Sequence, residues 1–257
     1  MIVDIHVHHW LGPKAGEPRA RLDEVLTLAD LVGIDHLCLM GNVSRFGVRC
    51  SRAQVAAIND DTLALAHYRP DRVLGFCFLS PLHGRRFIRA EMDRCIRDGG
   101  LRGVKLWVDV KAGDRRLDPV MERAAELGVP VLQHTWYKSV DKDRRASEPC
   151  DVAELAARFP QTTIIMAHLM GGGMRGVLDI QPYANVLVDT TGSQPQAGMV
   201  EYAVERLGAG RVVFGSDLRV RDFPCQLGKV YGARISKRAK RMILGLNAAR
   251  LLKLERP

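Results

Sequence analysis

Four of the chain's eight histidines, His6, His8, His134 and His168, together with Asp217, are of the types that hold catalytic metals. Imidazole nitrogens and a carboxylate around an open position suit Zn²⁺, and also admit Mn²⁺, Fe²⁺ or Co²⁺. Such an ion lowers the pKa of bound water to about 7 and supplies hydroxide at neutral pH. His6 and His8 alternate within Asp4-Ile-His6-Val-His8, so on a strand both side chains leave the same face. Lys105 adds an ionisable group to an apolar run, Gly103-Val-Lys105-Leu-Trp107. One buried histidine is ordinarily a packed residue with a local partner. Several gathered at one place need a shared role, because each buried polar group requires its own partner.

What gathers them is the order of the elements. Short apolar, β-branched runs cover 2–7, 35–40, 73–79, 103–108, 129–134, 162–168, 185–190 and 211–217. Nearly continuous apolar runs of this length are expected of parallel strands covered on both faces. Helical patterns over 21–31, 51–67, 86–97, 119–127, 152–159, 196–207 and 237–254 fill gaps between them, several bounded by Gly or Pro. Ser51 and Asp151 stand where N-caps belong. The alternation predicts a single (β/α)8 TIM barrel spanning 1–257, with its active site at the C-terminal ends of the strands. Those ends carry His8, His134, His168 and Asp217.

Trp10, Trp107 and Trp136 each follow a candidate site residue by two positions, which predicts an aromatic collar over the metal. Arginines and lysines enter the same loops: Arg45, Arg49 and Arg52; Lys138, Lys142, Arg144 and Arg145; Arg219 and Arg221. Arg45 and Arg219 are the candidates for gripping a substrate carboxylate. Gly171-Gly-Gly173 reads as a flexible turn at the same mouth.

The 257 residues include 38 Lys+Arg against 29 Asp+Glu, a formal charge of +9. A basic surface of this kind attracts anions, and the substrate expected is a small anionic molecule. No long basic stretch with interleaved aromatics suggests nucleic acid, and no apolar run approaches the roughly 20 residues of a membrane span. The basic run Ser236–Arg241 reads as the solvated start of a helix. Six cysteines form neither a CxxC pair nor a cluster, and no apolar leader is visible, which points to a reducing, cytoplasmic setting. A homo-oligomer, as a dimer, is expected.

Asp4-Ile-His6-Val-His8, His134, Met166-Ala-His168-Leu-Met-Gly-Gly-Gly173, Gly215-Ser-Asp217 and the C-terminal Met242-Ile-Leu-Gly-Leu-Asn-Ala-Ala-Arg-Leu-Leu252 together resemble the amidohydrolase superfamily. The likeness is to its amidohydrolase-related branch, which holds aminocarboxymuconate-semialdehyde decarboxylase and dicarboxylate lactonases. The resemblance implies that His6, His8, His134 and Asp217 bind one metal, with Zn²⁺ expected. It makes His168 the group that orients or deprotonates water, and Asp217 both ligand and base. Lys105 stands where binuclear relatives carry a carboxylated lysine; if carboxylated, it would bridge two ions, the second held by His134 and His168. The alternative is a plain lysine paired with a substrate carboxylate or a neighbouring acid. The leading expectation is a metal-dependent hydrolase of a cyclic amide, ester or lactone. A metal-dependent non-oxidative decarboxylase of an aromatic or unsaturated acid is the alternative, and a non-catalytic basic binding protein is the third reading.

Overall fold

Parallel pairing runs in sequence order around the molecule, each strand bonded to the next, in a computed structural model that describes residues 1–8, 17–137, 145–193 and 195–254. The strands are β1 (Val3–Val7), β2 (His36–Leu39), β3 (Val73–Leu79), β4 (Gly103–Leu106), β5 (Val131–Gln133), β6 (Ile164–Met166), β7 (Val186–Asp189) and β8 (Val212–Val213). The ring closes where Ile5 N–H donates to Phe214 O at 3.0 Å and Asp217 N–H to His6 O at 2.8 Å. The result is the (β/α)8 barrel that the alternation predicts.

The surrounding helices are α1 (Pro18–Leu31), α2 (Arg52–Tyr68), α3 (Gly84–Met92), α4 (Asp118–Leu127), α5 (Pro149–Arg158), α6 (Leu169–Ile180), α7 (Met199–Leu207), α8 (Phe223–Tyr231), α9 (Lys237–Arg241) and α10 (Asn247–Leu251). Ser51 caps α2 as expected, in a capping box with Gln54. Asp151 does not cap α5. The helix starts two residues earlier at Pro149, and the Asp151 carboxylate instead receives Glu148 N–H at 2.8 Å. Wide π-type turns at Asp93–Asp98 and Met242–Leu246 interrupt what reads in sequence as uniform helix.

Strand register settles which residues face inward. Phe78 pairs with Lys105, Lys105 with Leu132, and Leu132 with Ile165, so these side chains share one face. Cys38, Met40, Leu74, Phe76, Leu132, Ile165 and Val213 belong to one fully buried cluster, the filling of the barrel. A larger cluster, with Val104, Val131, Met166 and Val188, lies between strands and helices. Lys105 is 1% exposed on the same inner face as these apolar side chains. A charge there requires a partner within the barrel.

Candidate metal centre and active site

Asp217 Oδ1 lies 3.7 Å from His6 Nε2 and 3.7 Å from His8 Nε2, with all three residues buried. Every donor atom of this trio is within 4.8 Å of the others. The second ring nitrogen of each histidine is already engaged: His6 Nδ1 meets Asp189 Oδ2 at 2.8 Å, and His8 Nδ1 meets Gly41 O at 3.1 Å. A carboxylate and a carbonyl can only accept, so both Nδ1 atoms carry the proton and both Nε2 atoms present lone pairs. Histidines that ligate metals are oriented in this way. The donor set fits a divalent cation.

The strands stop short of several of these residues. His134 directly follows β5, while His168 lies two positions beyond β6 with φ 72°, and Asp217 lies beyond β8 with φ 59°. The backbone turns sharply at the last two, which is why the runs reading 162–168 and 211–217 as strand are truncated. A left-handed conformation costs a non-glycine residue free energy, and such positions concentrate at functional sites.

Lys105 Nζ is 3.0 Å from His6 Nε2. Burial lowers its ammonium to about 8, against the opposing pull of Asp217 and Asp189. Burial likewise pushes Asp217 up to about 7, with Lys105 holding it down. Each charge therefore supports the other, and removing either would leave a buried charge without its counterpart. Burial also drives His6 and His168 well below the ordinary imidazole range, so both rings are neutral near pH 7.

His134 is placed differently from the trio. Its Nδ1 lies 3.1 Å from His168 Nε2, and the two rings pack edge-on at 4.8 Å between centroids. His168 Nδ1 lies 2.6 Å from Thr191 Oγ1. His6, His168 and Asp189 form a second close group of ligand types. Asp189 was not among the sequence candidates, although the signal was available: like Asp217, it is an acid near the end of an apolar strand.

A cavity of about 510 Å³ opens above these groups. Its wall includes His8, Lys105, His134, His168 and Asp217, with Trp107 and Trp136 as aromatic surfaces and Arg221 as a second cationic side chain beside Lys105. Trp136 lies 5.4 Å from His168, ring to ring. Arg45 and Arg219 do not line it. Arg45 pairs with Asp61 at 2.7 Å and covers the Phe46 ring, while Arg219 reaches Glu24 at 3.5 Å. Their side chains are held outward by acids on α2 and α1, and Arg221 takes the inward place. Trp10, Lys138, Lys142 and Arg144 lie outside the described residues. Gly171–Gly173, read in sequence as a flexible turn, lie within the first turns of α6, where the backbone kinks at Gly173 (φ 60°), and a Cβ on Gly171 would lie 2.6 Å from the Trp136 ring.

The family model for amidohydrolases matches residues 3–254. The chain belongs to the amidohydrolase family. No curated protein matches it. Among solved structures it is similar to 2,6-dihydroxybenzoate decarboxylase from Rhizobium, at 20% identity and a TM-score of 0.80, covering 98% of each chain. It is also similar to a dihydroxybenzoic acid decarboxylase from Polaromonas sp. JS666, which holds manganese and the inhibitor 2-nitroresorcinol. There the identity is 15% and the TM-score 0.76, over 100% of this chain and 98% of the other. A third is 4-oxalomesaconate hydratase from Rhodopseudomonas palustris, with 17% identity, a TM-score of 0.76, and coverage of 98% and 96%. These neighbours correct the expectation of a hydrolase acting on a cyclic amide, ester or lactone: two are decarboxylases and one a hydratase. The motif residues specify where charge and proton acceptors stand, and one such arrangement serves several reactions. Among the described residues no helix is long and apolar enough to cross a membrane.

Proposed function

We propose that this member of the amidohydrolase family is a metal-dependent, non-oxidative decarboxylase of a small aromatic carboxylic acid. One observation carries the reading: a cavity with two indole walls, Trp107 and Trp136, stands over the His6–His8–Asp217 trio and holds two cationic side chains, Lys105 and Arg221. Flat rings favour aromatic walls, and a carboxylate favours the guanidinium and ammonium groups. The dihydroxybenzoate decarboxylases with the same fold support the substrate class.

His6, His8 and Asp217 would hold one divalent ion, with His134 the further ligand implied by the family resemblance. When bound, the ion supplies Lewis-acid stabilisation of negative charge and orients the substrate. Lys105 stays an unmodified ammonium in this reading, paired with Asp217. The protein's own share of the chemistry is proton handling. The ring carbon bearing the carboxylate must gain a proton; its bond to CO₂ then breaks, and that electron pair restores the aromatic ring. Asp217 lines the cavity beside the substrate position, placed to take up and return a proton as the reaction proceeds. His168, neutral and beside Trp136, is the second proton-handling group. Trp107 and Trp136 line the site and limit the access of bulk water to the reacting ring.

The test is incubation of Mn²⁺- and Zn²⁺-reconstituted protein with 2,6-dihydroxybenzoate and a panel of hydroxybenzoates, following CO₂ release and the decarboxylated phenol. Metal-dependent release that disappears in the His6→Ala/His8→Ala variant is expected. Reconstituted protein that binds the acids yet returns them unchanged would overturn the reading.

A further inference from the structure

A single carboxylate, Asp189, reaches three imidazole rings: that of His6 directly, that of His168 through the Thr191 hydroxyl, and that of His134 through His168. Its Oδ2 takes His6 Nδ1–H at 2.8 Å. Its Oδ1 receives His168 N–H at 2.8 Å and Thr191 N–H at 3.1 Å, and also the Thr191 hydroxyl. Asp189 as a carboxylate has no proton to return, so the one hydroxyl proton of Thr191 is committed to it. Thr191 Oγ1 is left as the acceptor for His168 Nδ1 at 2.6 Å. His168 must then carry its proton on Nδ1 and keep a lone pair on Nε2. That lone pair faces His134 Nδ1 at 3.1 Å, which in turn must be the protonated nitrogen of His134. Thr191 and Asp189 are fully buried and His168 is 3% exposed, so bulk water does not replace the Thr191 and Asp189 partners of this chain.

We propose that Thr191 is a positioning residue that locks His168 in the Nδ1–H tautomer and, through it, fixes His134 as Nδ1–H. His168 thereby offers a proton acceptor toward the cavity side, where the opposite tautomer would offer only a donor. The inference stands apart from the decarboxylase reading, because it concerns where protons sit before any substrate binds.

The experiment is long-range ¹⁵N–¹H correlation of the imidazole rings in the ¹⁵N-labelled, metal-free full chain, with the His168 signals assigned by their loss in His168→Asn. The wild type is expected to show His168 protonated at Nδ1 with an unprotonated Nε2. Thr191→Val, which removes the hydroxyl at nearly constant volume, should shift His168 to the Nε2–H tautomer or a mixture, and Thr191→Ser should restore the wild-type pattern. A wild-type His168 carrying its proton on Nε2 overturns the proposal without reference to any variant. So does a folded Thr191→Val protein whose His168 pattern is unchanged.

Discussion

Asp189 gives both carboxylate oxygens to the site, and its replacement by Asn can satisfy only one side. An Asn oxygen could still accept from Thr191 and His168, but its amide would then face His6 Nδ1–H donor to donor. His6 would have to move its proton to Nε2, which removes the lone pair turned toward Asp217. Asp189→Asn is therefore expected to weaken Mn²⁺ binding by about 10–100-fold, the usual scale for losing such an outer partner, measured by competition with a chelator. Asp4 presents a different case. Its Oδ1 receives His6 N–H at 3.1 Å and Ser216 N–H at 2.9 Å, whereas Oδ2 is buried with no hydrogen-bond partner. Burial raises its pKa from 3.8 to about 7. The folded protein thus holds a proton that the unfolded chain releases, and stability falls as pH rises from about 4 to about 7. Asp4→Asn keeps both acceptor contacts and removes that titration. In metal-free protein the decline of unfolding free energy near pH 5.5 should flatten by about 1.4 kcal/mol per pH unit, one proton's worth, as read from urea denaturation across pH. An unchanged slope would mean that Asp4 is ionised throughout. The sequence exposed His6 and His8 by their alternation. It could not separate Arg221 from Arg219, because which of two nearby loop arginines turns inward depends on Glu24 in α1, far away in the chain.

The contact between α6 and the loop after β5 shapes the cavity. Tyr137 N–H bonds to Gly171 O at 3.1 Å, and the Trp136 ring lies on the Gly171 backbone, where no side chain intervenes. Gly171→Ala would drive a methyl into that ring and displace Trp136 from His168. Overpacking of this kind costs about 1–3 kcal/mol of folding stability, and with the indole displaced the affinity for an aromatic acid should fall while metal content is kept. Ligand titration and Trp fluorescence, alongside elemental analysis, would separate those effects; unchanged affinity would remove Trp136 from the binding surface. The same contact explains why α6 was not legible. Three consecutive glycines lower helix propensity; the packing of Trp136 on Gly171 and of Pro149 close to Gly172 and Gly176 accounts for small residues there, and the kink at Gly173, with φ 60°, favours glycine. α8 was likewise unseen. By contrast the strands were legible as apolar runs, though not their ends, since the left-handed turns at His168 and Asp217 are imposed by tertiary contacts rather than by propensity.

At the scale of the molecule, the His6–His8–Asp217 trio spans the seam of the barrel. His6 and His8 come from the first strand and its end, and Asp217 from just past the last. The β7–β8 ladder there is short, since β8 is only Val212–Val213, with partners Val188 and Asp189. Outward charge has other work: Arg94, Arg89, Arg123 and Arg72 pair with acids on neighbouring helices and loops. The order of the eight runs made the barrel readable from sequence, while closure of the seam depends on contacts between residues more than 200 positions apart, such as Ser216 N–H to Asp4. An ion held by His6, His8 and Asp217 would tie the two ends of the chain together and bind only when they meet. It should then stabilise the whole fold by mass action, about 2.7 kcal/mol at a hundredfold excess over Kd. For a barrel of this size that corresponds to a rise in Tm of roughly 5–10 °C, reversed by chelation. Thermal unfolding with added Mn²⁺ or Zn²⁺ should show the rise in wild type and none in His6→Ala/His8→Ala. An equal rise in the double variant would place the ion elsewhere, and the seam would lose its role as the metal centre.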